Sequence, residues 1–149
     1  MIDLHCHLLP GIDDGSPDLA TSLSMARIAA NDGIKVIACT PHIYPGMYDN
    51  NGPAIRRAVA ELQTRLDEAG IPLRLTVGAD THLVPDLVAG LRAGRLPTLH
   101  DSRYFLLEPP HHVAPPRLAE TVFDLLAAGY VPVITHPERL SWIEDRYET

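Results

Sequence analysis

Two histidines separated by one residue, His5-Cys6-His7, follow the apolar run Ile2–Leu4, and a pair of aspartates, Asp13-Asp14-Gly15, comes soon after. Side chains alternate along an extended chain, so both imidazoles face one side and can reach one metal ion. A nearby carboxylate such as Asp14 can join them or hold a second ion. Imidazoles mixed with carboxylates suit Zn, Mn or Fe, and hydrolysis by metal-activated water is the chemistry such a set supports.

The same residue types recur just after each later apolar run. His42 follows Ile34–Cys39, Asp80 follows Leu73–Val77, Glu108 follows Tyr104–Leu107 and His136 follows Val131–Ile134. Helical patterns fill the intervals. Ser16-Pro17-Asp18 reads as a helix start, with Ser16 as the capping hydroxyl, and Leu19, Leu23, Ala26 and Ala30 recur at helical spacing before Gly33 stops the helix. Pro53 opens a second helix that buries Ile55, Val59, Leu62 and Leu66 and ends at Gly70. Pro85–Leu91 and Pro116–Ala128 read as two more, and Pro137–Tyr147 begins a last helix-like stretch.

Strands alternating with helices predict an α/β fold with a parallel sheet, open or curled into a barrel. Ligands bind at the carboxyl ends of such strands, so the residues after each run should converge on one site. Arg139 in His136-Pro137-Glu138-Arg139 would lie beside it and could hold a phosphate oxygen bidentately. His82, His100, His111 and His112 read as surface or satisfied core histidines, with His82 kept as a substitute ligand because it lies two residues past Asp80.

The bulk properties agree. A chain of 149 residues suits one domain, and 46 % hydrophobic with 21 % charged residues excludes disorder. A net charge of −7 argues against a nucleic-acid surface, and a phosphate ester would need a local positive source that bound metals could supply. Cys6 and Cys39 are too few for a disulfide framework and read as small core residues. A thiolate phosphatase loop would carry Arg six positions after its cysteine, where this chain has Ile12 and Pro45. No signal peptide or membrane-length apolar run is evident, so a cytoplasmic protein without membrane insertion is expected.

The combined motifs Met1–His7, Asp13-Asp14-Gly15, Thr40-Pro41-His42, Pro97–Tyr104 with Glu108, and His136–Arg139 resemble the PHP (polymerase and histidinol phosphatase) superfamily. The closer resemblance is to the manganese-dependent protein-tyrosine phosphatases of bacterial capsule and exopolysaccharide gene clusters. It implies a distorted, TIM-like βα barrel, here truncated to about five βα units against the usual eight or so. It also implies up to three divalent metals, manganese above all, held by His5, His7, Asp14, His42, Asp80, Glu108 and His136. Asp14 and Arg139 take the catalytic positions, Arg139 as a phosphate-binding residue. The implied substrate and partner is an autophosphorylating tyrosine kinase of the polysaccharide export system. Two departures stand out: the family has a bridging Glu where this chain has Asp80, whose reach is shorter by about 1.5 Å, and family members continue for a further segment with a late Asp-x-His pair.

On this basis His5, His7, Glu108 and His136 should approach one centre, with Asp14 and His42 lining a neighbouring subsite and bridging by Asp80 weakened. Five βα units would leave a sheet edge uncovered, which invites homo-oligomer formation. Besides the tyrosine phosphatase, two readings stay open: a small-metabolite phosphatase, and a metal- or kinase-binding remnant without turnover.

Overall fold

The computed structural model describes residues 1–144. Its elements are β1 (Ile2–Cys6), α1 (Leu19–Asn31), β2 (Val36–Cys39), β3 (His42–Ile43), α2 (Gly52–Glu68), β4 (Arg74–Val77), β5 (Asp80–His82), α3 (Leu87–Arg92), β6 (Tyr104–Glu108), α4 (Leu118–Ala127) and β7 (Val131–Ile134). Every paired strand is parallel, in the sheets β1-β2-β4 and β3-β5-β6-β7. The α/β class read from the sequence is therefore the observed one.

Five strands were expected and seven are found, because two of the expected strands break and resume. The first breaks at Thr40-Pro41: proline has no N–H to donate to a ladder, so pairing pauses and restarts at His42. The second breaks at Gly78-Ala79, where a Cβ on Gly78 would stand 2.9 Å from both Leu99 Cδ2 and Thr40 Cγ2. Any side chain there would have to push both aside. Pairing then resumes with the Asp80 N–H donating to the Pro41 carbonyl at 3.0 Å. Asp80, expected just after a strand, thus opens β5 and is held by neighbours on both sides.

The helices start and stop near the expected residues. Asp18 caps α1, its carboxylate accepting the Thr21 N–H at 2.8 Å, whereas Ser16 is buried and donates its hydroxyl to the Asp18 carbonyl. The cap therefore sits two residues later than expected. Asn51 caps α2 in the same way, with Pro53 in the first turn. Ile55, Leu62 and Leu66 of α2 are buried as their spacing requires, against a core that includes Leu8, Leu9, Ile37, Phe105 and Leu107. Of the expected last helix, Pro137–Arg139 is a single 3-10 turn, and residues 145–147 of that stretch lie outside the described residues.

Apolar side chains remain open at the two outermost strands and on α4. Ile2 and Leu4 of β1 are 63 % and 56 % exposed, and Phe123 of α4 is 69 % exposed. Among the described residues, no helix is long and apolar enough to cross a membrane.

Candidate metal centre

Strand β1 ends in a bulge. Asp3 is level with Ile37 and Cys6 with Cys39, so β1 spends one more residue than β2 over the same stretch. The Asp3 carboxylate occupies the His5 N–H at 3.0 Å, and the Thr40 hydroxyl accepts from the Cys6 N–H at 2.9 Å. These contacts aim both imidazoles at one point: His5 Nε2 and His7 Nε2 lie 3.2 Å apart.

The Asp13–Gly15 loop folds back over His7. A Cβ on Gly15 would lie 2.3 Å from His7 Cβ and 2.4 Å from the His7 carbonyl, so no other residue fits. Asp13, which sequence reasoning passed over for its neighbour, is the buried member of the pair. Its Oδ2 accepts from His7 Nδ1 at 2.7 Å and from the His42 N–H at 3.1 Å, and its Oδ1 accepts from the Gly15 N–H at 3.0 Å. Burial works against its ionisation, yet the hydrogen bonds from His7, Gly15 and His42 hold its carboxyl below the ordinary value. With Nδ1 of His7 engaged, Nε2 is left to bind a cation, the usual division of labour at metal-bound histidines.

Three overlapping groups of ligand atoms, each within 4.8 Å of one another, follow from this arrangement: His5, His7 and Asp80; His7, Asp14 and His42; His42, Asp80 and Glu108. Asp80 is fully buried, with Oδ2 at 3.4 Å from His5 Nε2 and 3.7 Å from His42 Nδ1. Glu108 Oε2 lies 3.3 Å from His42 Nδ1. Burial opposes ionisation of Glu108, but the imidazoles of His42, His82 and His111 around it hold the carboxyl well below the carboxylate range. His42 shifts the other way: burial lowers its pKa, and the adjacent Glu108, Asp80 and Asp14 raise it further than burial lowers it.

Five buried polar side-chain atoms among the described residues have no hydrogen-bond partner, and four belong to this cluster: His42 Nδ1, Asp80 Oδ2, His82 Nδ1 and His111 Nε2. The fifth is Thr81 Oγ1. His111 Nε2 sits 3.0 Å from Glu108 Oε1 but is not aligned for a hydrogen bond. Leaving one such group unsatisfied costs about 1–3 kcal/mol. A set of buried imidazole and carboxylate atoms aimed at each other fits divalent cations.

The expected partition of ligands needs correcting. Glu108 groups with His42 and Asp80, and Asp80 takes the place beside His5 and His7. Strand register explains it: Asp80 is level with His42 and Leu106, while Glu108 stands two residues further along β6, level with His82. Asp80 itself belongs to two of the three groups. His136 lies outside the three compact groups, with its ring 5.0 Å from that of His5. His82, kept as a substitute ligand because it shares the strand face of Asp80, and His111, read as a surface or core histidine, both flank Glu108.

A cavity of about 370 Å³ opens beside the cluster, lined by Asp14, His42, Glu108 and Arg139 together with Tyr44, Met47 and Tyr48. Tyr44 stacks on His82 and Tyr48 on His42. Arg139 thus faces the same space as the ligand residues, as its spacing suggested. Cys6 lies at the β1–α1 surface, near Asp3, Met25 and Ile37. Burial first, then the charges of Asp3 and Asp13, push its thiol up to about 11.

Residues 1–149 match the family described as capsular polysaccharide synthesis, CpsB/CapC. The chain belongs to this family. It is 45 % identical over 141 residues to the tyrosine-protein phosphatase YwqE of Bacillus subtilis, covering 93 % of this chain and 55 % of that protein. It is 28 % identical over 145 residues to the tyrosine-protein phosphatase CpsB of Streptococcus pneumoniae, covering 97 % and 60 % respectively. A solved structure from work on YwqE and CpsB, described as unique metal-dependent tyrosine phosphatases, superposes with a TM-score of 0.93 at 40 % identity, over 97 % of this chain and 59 % of that one. The chain thus spans somewhat more than half the length of these CpsB/CapC relatives.

Proposed function

We infer that this chain carries the metal centre of a protein-tyrosine phosphatase, set in a PHP-type βα barrel wall. The strand order supports the barrel reading: counting the broken strands as continuous, each strand pairs with the next in sequence, as in a barrel wall. The observation that carries the function is the set of unpartnered buried ligand atoms opening onto the cavity that Arg139 lines.

His5, His7 and Asp80, with His136 beside them, hold one metal subsite; His7, Asp14 and His42, and His42, Asp80 and Glu108, provide the others. Divalent metals held by these residues would lower the pKa of coordinated water toward neutrality and offset phosphate charge. Asp14 reaches the cavity from the exposed side of its group, where a proton can pass to solvent. Arg139 steadies the phosphate oxygens, and Tyr44, Met47 and Tyr48 form a wall suited to an aromatic ring. Manganese is the favoured ion, protein phosphotyrosine the substrate, and an autophosphorylating kinase of capsule export its source. The relatives' names support a tyrosine-protein phosphatase of capsular polysaccharide synthesis, and the description of the solved structure supports metal dependence.

The test is hydrolysis of p-nitrophenyl phosphate and of a phosphotyrosyl peptide, with metal content read by mass spectrometry. Activity that needs manganese and is lost to chelator supports the phosphatase. Manganese uptake without turnover would favour a metal- or kinase-binding domain. A chain that takes up no divalent metal would overturn the metal centre itself.

A further inference from the structure

Among the described residues, Asp80 is the one carboxylate that belongs to two ligand groups, with His5 and His7 on one side and His42 and Glu108 on the other. Its two oxygens are not equivalent. Oδ1 accepts from the Thr135 hydroxyl at 2.9 Å, whereas Oδ2 has no hydrogen-bond partner and faces His5 Nε2 and His42 Nδ1.

Both partners of that hydrogen bond are held by the sheet. Asp80 is paired to β3 and β6, and its N–H is tied to Pro41. Thr135 is buried just past β7, and its own N–H donates to the Leu107 carbonyl at 3.0 Å, which carries the β6–β7 pairing one residue further. The hydroxyl also has a weaker alternative in the Leu107 carbonyl at 3.4 Å, so its shorter bond to Asp80 is the one it makes best. An aspartate is too short to turn freely about such an anchor. Rotating its carboxyl to offer one oxygen to each group would break the bond from Thr135.

We propose that Thr135 is a positioning residue: by engaging Oδ1 it makes Asp80 serve both ligand groups through the single oxygen Oδ2. The inference rests on the metal-centre reading above and adds to it how the shorter acid of this chain does its work. A glutamate could reach each group with a different oxygen. An aspartate pinned at one oxygen shares the other.

The experiment compares the 149-residue chain with Thr135→Val, which keeps the shape and removes the donor, and Thr135→Ser, which keeps the donor. Manganese chloride is titrated into each metal-free protein, and free manganese is followed by electron paramagnetic resonance. Thr135→Val should weaken manganese binding by about 10–100-fold, the usual cost of losing a residue that orients a metal ligand. Thr135→Ser should stay within about twofold of the parent. In an Asp80→Asn background, Thr135→Val should add nothing, whereas a purely structural role would add its full cost. The loaded parent and Thr135→Ser should show an exchange-coupled manganese pair that Thr135→Val loses. Thr135→Ala, with melting of the metal-free proteins, separates folding damage from ligand positioning. Unchanged manganese binding in both Thr135→Val and Thr135→Ala would overturn the proposal, as would an uncoupled spectrum in the parent. A parent that binds no manganese fails before any substitution, and that outcome strikes the metal-centre reading instead.

Discussion

The imidazoles of His5 and His136 lie with ring centroids 5.0 Å apart, although they stand on β1 and just past β7, the outermost strands of the two sheets. Residues 131 positions apart in sequence meet because the parallel strands curl and bring their carboxyl ends toward one another. The site is therefore built from both ends of the described chain, and metal binding should be coupled to its folding. Manganese at about a hundred times its dissociation constant should add about 2.7 kcal/mol, or roughly 5–10 °C in melting temperature. His136→Ala should reduce that increment, and chelator should abolish it. A melting temperature indifferent to manganese would contradict the coupling.

Asp13 makes three hydrogen bonds, and two of them fix the candidate ligand residues His7 and His42. Asp13→Asn should lower metal affinity about 10–100-fold, because an amide cannot hold the His7 Nδ1–H as a carboxylate does. Isothermal titration with manganese measures this directly. The metal-free protein should also lose about 1–3 kcal/mol from the hydrogen bonds weakened. Asp13→Asn that binds manganese like the parent would show that His7 needs no such support.

Arg139 faces the cavity without belonging to any ligand group, so its role should separate from metal binding. In an active preparation, Arg139→Ala should reduce kcat/KM for an aryl phosphate by about 10²–10³ at unchanged metal content. Arg139→Lys should recover little, since an ammonium cannot grip two phosphate oxygens as a planar fork does. Loss of metal in either variant would mean the arginine supports the cluster instead.

The thiols should be dispensable. With a pKa of about 11, Cys6 is almost wholly protonated near neutrality, and burial pushes the Cys39 thiol up further still. Cys6→Ser and Cys39→Ser should keep metal-dependent hydrolysis, with Cys39→Ser less stable by about 1–3 kcal/mol for a hydroxyl in the core. Inactivation by an alkylating reagent without unfolding would count against this.

The open apolar side chains of β1 and α4 predict self-association. Ile2, Leu4, Phe123 and Leu126 are all more than half exposed, and outer strands offer unpaired backbone to another chain. Light scattering of the 149-residue chain should show dimers or larger species, and Phe123→Lys with Leu126→Lys should reduce them. A monodisperse monomer at high concentration would refute it.

The sequence by itself determined which residue types could meet. Alternation along β1 put His5 and His7 on one side, the spacing of Ile55, Leu62 and Leu66 gave α2 its buried face, and the recurrence of His or acid after each apolar run marked one end of the sheet. These are local consequences of strand and helix periodicity. Which of these residues stand close enough to share a metal was decided only by the tertiary structure. Parallel register set Asp80 level with His42 and Glu108 two residues on, level with His82, and it runs unchanged across the breaks at Pro41 and Gly78, since His42 faces Asp80 in step with Cys39 facing Val77. The choice between adjacent Asp13 and Asp14 was likewise made by the loop folding over His7: one carboxylate turned inward to hold an imidazole, the other outward to the cavity. Neighbouring residues of the same type carry the same local propensity, so only contacts made across the fold can tell them apart.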